Sequence, residues 1–262
     1  MLTVKLGVIQ GLYNVLTYYK VCESMKLPDL SHEIELWKKG YMVIGIDEVG
    51  RGAFAGPLYV GGVIFDPRSD IQYLTSIGIN DSKKLKPNIR KMLSKVIQKE
   101  CLAYHISTID VAQINRIGIG KATFQAMRNT VQNLTVSLRA ARSNLVKEIA
   151  TSSSTPREDR IFVLVDGFYI KYLKGIGLKN QKGIVGGDGI SLSIAAASII
   201  AKVARDEHME KLSAKFPNYG WGRNKGYGTL SHRQTLQKLG ITRLHRKAFI
   251  KNLSCYSWSS SL

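Results

Sequence analysis

The stretch Gly45-Ile46-Asp47-Glu48-Val49-Gly50-Arg51-Gly52 follows the apolar run Tyr41-Met42-Val43-Ile44, which is typical of a buried β-strand. Two adjacent carboxylates therefore lie at the end of a predicted strand. Burying two like charges side by side is costly unless a cation or a proton compensates them. The glycines on either side of Arg51 allow the backbone to approach a ligand closely. The stretch predicts a divalent metal and an anionic partner at the same place.

The charge of the whole chain points to a polyanionic partner. The 262 residues are 44% hydrophobic, enough for one domain with a sizeable core. Lys and Arg number 38 against 19 Asp and Glu, which gives a net charge of +19. A balance this basic favours nucleic acid as the partner, with an anionic membrane surface as the next alternative. A basic protein without a polyanionic partner is the third alternative.

The cysteines and the N-terminal residues bear on the compartment. Cys22, Cys101 and Cys255 are scattered and odd in number, which favours a reducing interior and predicts a cytoplasmic protein. Residues Met1 to Val21 lack the uninterrupted apolar run of a membrane-spanning helix. They also lack a small-residue cleavage site, so a signal peptide is not predicted.

Predicted strands and helices alternate along the chain. Apolar runs predict strands over 42–47, 58–65, 102–109 and 161–165. Helical spacing predicts helices beginning near Ser31 (itself a possible cap) and at Pro87, and over 122–138, 192–212 and 231–239. The Ser- and Thr-rich residues 150–160 are a predicted loop. The alternation predicts an α/β fold with a mixed sheet flanked by helices, whose active residues lie at strand ends.

Four acids stand in strand-end or helix-start contexts: Asp47, Glu48, Asp166 and Asp188. Mg²⁺ prefers carboxylate oxygen, and two such ions about 3.5–4 Å apart can clamp a scissile phosphate. Neighbours on a regular strand point to opposite faces, so Asp47 and Glu48 share a site only if the strand ends or bends there. For any one acid alone, a role as turn former or helix cap stays open.

Blocks spread along the chain resemble type 2 ribonuclease H, the ribonuclease HII family. After the opening stretch they are, in the family's order, Asp81-Ser82-Lys83-Lys84-Leu85, Val165-Asp166-Gly167, Gly187-Asp188, the run from Ala195 to Asp206, and Gly226-Tyr227-Gly228-Thr229 with His232. The resemblance covers about Pro28 to Leu253. It implies a ribonuclease H-like fold with a helical C-terminal region. It also implies an endonuclease that cuts RNA within RNA–DNA hybrids, or on the 5′ side of a ribonucleotide embedded in duplex DNA.

The resemblance also implies the roles of particular residues. The metal-binding quartet falls on the four acids Asp47, Glu48, Asp166 and Asp188, with Mg²⁺ or Mn²⁺ as the cofactor. The turn Gly50-Arg51-Gly52 would contact the 2′-hydroxyl side of the ribonucleotide, and Tyr227 would pack against the neighbouring deoxy sugar. The 2′-hydroxyl is the group that distinguishes RNA from DNA, so these residues would select the substrate.

Basic residues beside the predicted cut depart from the family's pattern. The loop Ser82-Lys83-Lys84 is predicted to grip the substrate backbone away from the cut, with an ordinary solvated loop as the alternative. The family usually has a lysine two positions before Asp188 and a basic residue after it, where this chain has Gly186 and Ile190. Three lysines are predicted to supply the missing charge beside the phosphate: Lys182, Lys202 and Lys225.

Other residues of these blocks have more than one interpretation. His232 is predicted either to cap its helix or to touch a phosphate. Tyr219 and Trp221 either stack on sugar or base, or form a cluster that supports the fold. Asp206 lies 18 positions after Asp188 across a predicted helix. That separation is about 25 Å, too long for both to bind one metal pair, so Asp206 is predicted to form an ion pair or a cap.

The resemblance predicts a monomeric enzyme with three parts. Residues 1–25 are an extension, or upstream sequence with Met25 as the start; residues 26–254 are the catalytic domain with its helical C-terminal region; residues 255–262 are a tail. The alternative function is a hybrid-binding protein whose catalysis is weakened or lost through Gly186 and Ile190. A type 3 relative is less favoured, because residues 1–25 are too short for its added substrate-binding domain.

Overall fold

A computed structural model describes residues 27–148 and 160–251, apart from the side chains of residues 140–148. The predictions for residues 1–25, for the loop up to residue 159 and for the tail lie outside the described residues. No helix in the described ranges is long and apolar enough to cross a bilayer.

Five strands form one mixed sheet in the order β3-β2-β1-β4-β5. Their bounds are β1 Met42–Val49, β2 Leu58–Ile64, β3 Ala103–Ile109, β4 Ile161–Asp166 and β5 Gln181–Ile184. The central strand β1 pairs antiparallel with β2 and parallel with β4. Its apolar residues are buried, as the near-continuous apolar sequence predicts for a strand covered on both faces. The mixed sheet predicted from the sequence is confirmed.

Helices flank this sheet, and each predicted helix is present. Their bounds are α1 Ser31–Lys38, α2 Ile71–Ser76, α3 Pro87–Glu100, α4 Val111–Ile117, α5 Ile119–Glu148, α6 Leu192–Lys215, α7 Trp221–Asn224, α8 Leu230–Leu239 and α9 Lys247–Ile250. The prediction that Ser31 caps the first helix is wrong. Ser31 is the first helical residue, and its backbone N–H donates to Asp29 Oδ1 at 2.9 Å.

The long helices α5 and α6 cover opposite faces of the sheet. Helix α6 lies close against β1 and β2 because glycines face it. A Cβ on Gly45 would lie 2.3 Å from the carbonyl carbon of Ser193, and a Cβ on Gly61 would lie 2.3 Å from the carbonyl oxygen of Ala197. Only glycine allows this approach, which brings the side chains of α6 next to Asp47 of β1.

The C-terminal helices enclose an aromatic and histidine cluster. Trp221 and His232 are fully buried, the Trp221 ring stacks on Tyr219 at 5.2 Å, and His232 Nε2 lies 3.2 Å from His245 Nε2. The cap of α8 is the Thr229 hydroxyl, which accepts the backbone N–H of His232. Both roles predicted for His232 are therefore wrong, and Tyr219 and Trp221 support the fold.

Candidate functional site

Asp47 and Asp166 lie side by side on adjacent parallel strands. Ile46 pairs with Val165, so the next residue on each strand is an aspartate at the same edge of the sheet. The predicted strand end is correct for Asp166 and wrong for Asp47. Strand β1 continues to Val49 because its last residues still pair with β2.

Asp47 and Glu48 leave opposite faces of β1, since the strand neither ends nor bends between them. Asp47 is buried towards α6, where the Ser198 hydroxyl acts to lower the pKa of its carboxylate. Glu48 lies on the other face, and its Oε1 is 3.4 Å from Nη1 of Arg51. A shared site for the two acids was expected only if the strand ended or bent between them, and the backbone does neither.

Asp188 lies in a 3₁₀ turn, Gly187–Gly189, immediately before α6. The backbone N–H of Gly187 donates to Asp166 Oδ1 at 2.8 Å, which joins the turn to the end of β4. Two strands and the turn thus place within electrostatic range four acids that are up to 141 positions apart in the chain.

The acids oppose one another's ionisation. Burial raises the pKa of Asp47 well above its ordinary value; the Ser198 hydrogen bond acts in the other direction, and the charges of Glu48, Asp166 and Asp188 raise it further. Burial also raises the pKa of Glu48 and of Asp166. Glu48 Oε2 is buried without a hydrogen-bond partner among the described residues. A cluster of this kind is stabilised by added positive charge.

Besides Arg51 at Glu48, a second cation of the chain, Lys83, already lies in this cluster. The ammonium of Lys83 is 2.9 Å from Asp188 Oδ2 and 3.9 Å from Asp81 Oδ1. Partial burial acts to lower the pKa of Lys83, but the hydrogen bond and charge of Asp188 raise it above its ordinary value. Lys83 was expected to lie away from the cut, whereas the structure places it at the acids.

The three lysines predicted to neutralise the phosphate are engaged elsewhere. Their partners are His32 Nδ1 for Lys182 at 3.4 Å, Asp206 for Lys202 at 2.7 Å, and Glu210 for Lys225 at 2.8 Å. The remaining residues of the predicted basic loop differ from each other. Ser82 is buried, with its hydroxyl 2.9 Å from that of Ser198, while Lys84 is exposed.

The donor chemistry fits a divalent metal, although the side chains do not converge on one point. Within residues 27–148 and 160–251, no three His, Cys, Asp or Glu side chains form a ready-made metal-binding group. Two features account for this. Asp47 and Glu48 point to opposite faces of β1, and Lys83 forms an ion pair with one carboxylate oxygen of Asp188. The donors are nevertheless all carboxylate oxygens, the ligands that Mg²⁺ prefers, and the buried Glu48 Oε2 lacks a partner.

The Gly50-Arg51-Gly52 turn follows β1 directly, and the buried side chain of Arg246 holds its backbone. Gly50 has a φ of +87°, a conformation that favours glycine. The carbonyls of Gly50 and Arg51 accept from Nη1 of Arg246 at 2.7 and 2.9 Å. A Cβ on Gly52 would meet no atom within 4 Å, so packing does not require glycine there. Open space above Gly52 suits the close approach of a ligand.

Arg51 stands over an aromatic ring that sequence reasoning did not include in the site. Its guanidinium carbon is 5.0 Å from the centroid of Phe168, two residues after Asp166. Phe168 in turn packs edge-on against Phe124 of α5. The sequence signal was the aromatic residue directly after Val165-Asp166-Gly167.

Backbone hydrogen bonds hold the residue before Tyr227 against the segment that follows the Gly50-Arg51-Gly52 turn. The carbonyl of Gly226 accepts the backbone N–H groups of Phe54 at 2.8 Å and of Ala55 at 3.1 Å. The half-buried Tyr227 ring lies 5.3 Å from the guanidinium carbon of Arg205. The structure therefore brings together the two elements that the sequence predicted to select the sugar, and adds Arg205 and Arg246, which the sequence did not single out.

Comparison with known proteins agrees with this architecture. A family model described as Ribonuclease HII matches residues 44–254. A Ribonuclease HII from Caldicellulosiruptor bescii is 39% identical over 222 residues, covering 84% of this chain and 93% of the relative.

Two solved structures share the fold. The RNase HII in the PCNA:RNase HII complex from Archaeoglobus fulgidus matches with a TM-score of 0.62 at 24% identity, covering 84% of this chain and 98% of that one. Bst-RNase HIII, solved in complex with Mn²⁺, matches with a TM-score of 0.58 at 23% identity, covering 83% and 71%.

Proposed function

This chain belongs to the ribonuclease HII family, and from that premise we propose how its own residues carry out the reaction. The chain is a divalent-metal-dependent endonuclease that acts on the RNA of RNA–DNA hybrids. The alternative, a hybrid-binding protein without catalysis, is not favoured. We further propose that it is a cytoplasmic monomer in which residues 26–254 form the catalytic domain.

The four acids are the proposed metal ligands: Asp47, Glu48, Asp166 and Asp188. The observation that supports this proposal is the uncompensated negative charge, seen in the raised pKa of Asp47 and in the unpartnered Glu48 Oε2. When bound, a pair of Mg²⁺ or Mn²⁺ ions would activate water and stabilise charge on the scissile phosphate. Turning of the Glu48 side chain around the strand edge would let it join Asp47.

Neighbouring groups orient these acids. The Ser198 hydroxyl holds Asp47, and the backbone N–H of Gly187 holds one oxygen of Asp166 and leaves the other available. Lys83 compensates Asp188 in the free protein. We propose that its ammonium then neutralises the phosphate beside the cut, the task that the sequence assigned to Lys182, Lys202 or Lys225.

The Gly50-Arg51-Gly52 turn is proposed to bind the 2′-hydroxyl side of the ribonucleotide. Tyr227 would pack on the neighbouring sugar and exclude a second hydroxyl there. The cut would fall on the 5′ side of the ribonucleotide, leaving 3′-hydroxyl and 5′-phosphate ends. Ser82, being buried, would act by positioning Ser198, and Lys84 by contacting the backbone.

The nick on a defined duplex tests the proposal. A DNA duplex with one ribonucleotide is incubated with Mg²⁺, with Mn²⁺ or with a chelator, and the product ends are mapped; an all-DNA duplex is the control. We expect one metal-dependent nick on the 5′ side of the ribonucleotide and none in the control. Binding of the duplex without a metal-dependent nick would contradict the proposal.

A further inference from the structure

Two fully buried arginines lie beneath the turn and Tyr227. Arg205, on α6, donates from Nε to the carbonyl of Pro57 at 3.2 Å and from Nη2 to that of Ala55 at 3.4 Å. A Cβ on Gly50 would lie 2.0 Å from its Nε, so the guanidinium packs directly against the turn. The same guanidinium faces the Tyr227 ring at 5.3 Å.

Arg246 completes the support from the C-terminal region. Besides its bonds to the carbonyls of Gly50 and Arg51, it donates from Nε and Nη2 to the carbonyl of Gly56 at 3.0 and 2.8 Å. The backbone from Gly50 to Pro57 is therefore held at five carbonyls by two side chains. Arg246 fixes the turn itself, whereas Arg205 also faces the ring of Tyr227.

Burying this charge is costly, and the carboxylate that acts on Arg205, that of Asp206, does so without forming an ion pair. No carboxylate of the described residues lies within 4.0 Å of either guanidinium, and Arg205 Nη1 is buried without a hydrogen-bond partner. Burial lowers the pKa of both arginines, and for Arg246 the value is about 9. An apolar side chain would fill this space at lower cost, which indicates that the guanidinium does something specific here.

We infer that Arg205 is a positioning residue, which fixes the Tyr227 ring relative to the Gly50-Arg51-Gly52 turn. The turn and the ring then form one rigid unit with a set separation between the ribose side and the deoxyribose side of a junction. The inference rests on the roles proposed above for the turn and for Tyr227. A ring free to rotate would lose the preference for the junction, while the metal ligands would be untouched.

Two substitutions test this separation of effects. Arg205→Lys keeps the charge but loses the planar group that faces the ring, and Arg205→Gln keeps a donor without the charge. The measurement is the ratio of kcat/KM for a duplex with one ribonucleotide to kcat/KM for a hybrid with a uniform RNA strand. We expect the ratio to fall about tenfold in both variants, with the uniform hybrid affected by less than about threefold.

The matched control is Arg160→Lys. Arg160 also stacks on a tyrosine, with its guanidinium 4.3 Å from the Tyr41 ring, but at the opposite end of β1. Its substitution is expected to leave the ratio unchanged. Tyr227→Ala is measured in the native and the Arg205→Lys backgrounds, and we expect it to lower the ratio in the native background and to add little in the other.

Each outcome decides between roles. If Tyr227→Ala lowers the ratio but the Arg205 variants do not, Arg205 does not position the ring, while the proposed role of Tyr227 stands. If Tyr227→Ala leaves the ratio unchanged, both the role of Tyr227 and the inference about Arg205 are wrong. If both Arg205 variants lose their thermal unfolding transition, Arg205 is required by the fold itself and the inference is also overturned.

Discussion

Two groups of buried acids lie along helix α6 and differ in their counter-charges. At its N-terminal end, burial raises the pKa values of Asp47, Glu48 and Asp166. The cations beside this group, Lys83 at Asp188 and Arg51 at Glu48, are both exposed. Four turns further along, Asp206 is also buried but lies 2.7 Å from Lys202 and 3.3 Å from Arg90. The prediction that Asp206 forms an ion pair is correct, and its partners are Lys202 and Arg90.

We propose that this difference separates acids that serve the fold from acids that serve chemistry. A buried carboxylate with cations supplied by the chain stabilises the folded state only as long as both partners remain. A buried carboxylate without them destabilises the free protein and is retained where a cation from solution completes the site. Substitutions in the two groups should therefore have opposite effects on stability.

Asp47→Asn should have the largest effect. We expect cleavage of a ribonucleotide-containing duplex to fall by at least about 10³-fold, since a metal ligand is lost. We also expect the melting temperature of the metal-free protein to rise, because a carboxylate with a raised pKa no longer has to be buried in its charged form. Single-turnover cleavage and thermal unfolding at neutral pH measure the two effects. Retained cleavage would remove Asp47 from the metal site.

Asp206→Asn should have the opposite effects: lower stability with cleavage largely retained. The substitution leaves Arg90 and Lys202 buried and partly unpaired, which costs about 3 kcal/mol of unfolding free energy. Cleavage per folded molecule should stay within about threefold of the native value, because Asp206 is remote from the metal ligands. Denaturant unfolding and activity below the transition check this expectation. A loss of activity as large as that of Asp47→Asn would erase the distinction between the groups.

Added metal should stabilise the folded protein through the acids around Asp47 and not through Asp206. Binding of Mg²⁺ or Mn²⁺ at 100 times its Kd would add about 2.7 kcal/mol to native stability, and Asp47→Asn should remove most of this gain. The sign with pH follows from the raised pKa values. In the folded protein, Asp47 and Glu48 keep protons that the unfolded chain releases near 3.8 and 4.5. Their contribution is therefore full below about pH 4 and is lost as pH rises through the raised values.

Melting curves with and without metal from pH 4 upwards measure this dependence. The stability of the metal-free native protein relative to Asp47→Asn should fall as pH rises, and metal should close the gap. A stability difference between the native protein and Asp47→Asn that does not change with pH would show that ionisation of the buried acids does not destabilise the metal-free protein.

Lys83→Ala tests the cation that contacts Asp188. We expect kcat/KM to fall about tenfold, equivalent to about 1.4 kcal/mol, because Asp188 and the adjacent phosphate lose a counter-charge. The neighbouring exposed Lys84→Ala is the control and should cost less. Equal losses in both variants would indicate two ordinary backbone contacts rather than a specific role for Lys83.

Deletion of residues 1–24 should have the smallest effect. Both groups of acids lie within residues 27–251, so activity and melting temperature are expected to stay at native values. A loss of either would show that the extension contributes to the folded domain.

Most of the fold was predictable because the signals are local. Apolar runs over 42–47 and 161–165 mark strands, Pro87 marks a helix start, and the apolar helix after Asp188 was expected on both its length and its burial. The predicted element boundaries were wrong where a contact with another residue or strand determines them. Pairing with β2 carries β1 past Asp47, and the Asp29 side chain, rather than Ser31, accepts at the start of α1.

The amino-acid sequence by itself indicated the candidate site residues: the four acids, the glycine–arginine turn and Tyr227 are all in recognisable local motifs. It also excluded Asp206 as a metal ligand, since helix length is a local quantity. Only the tertiary structure decided the pairing of charges. Lys83 lies at Asp188, Lys225 pairs with Glu210, and Arg205 joins the turn to Tyr227. These contacts join segments from 15 to more than 100 positions apart, and their geometry depends on how α6 packs on the sheet.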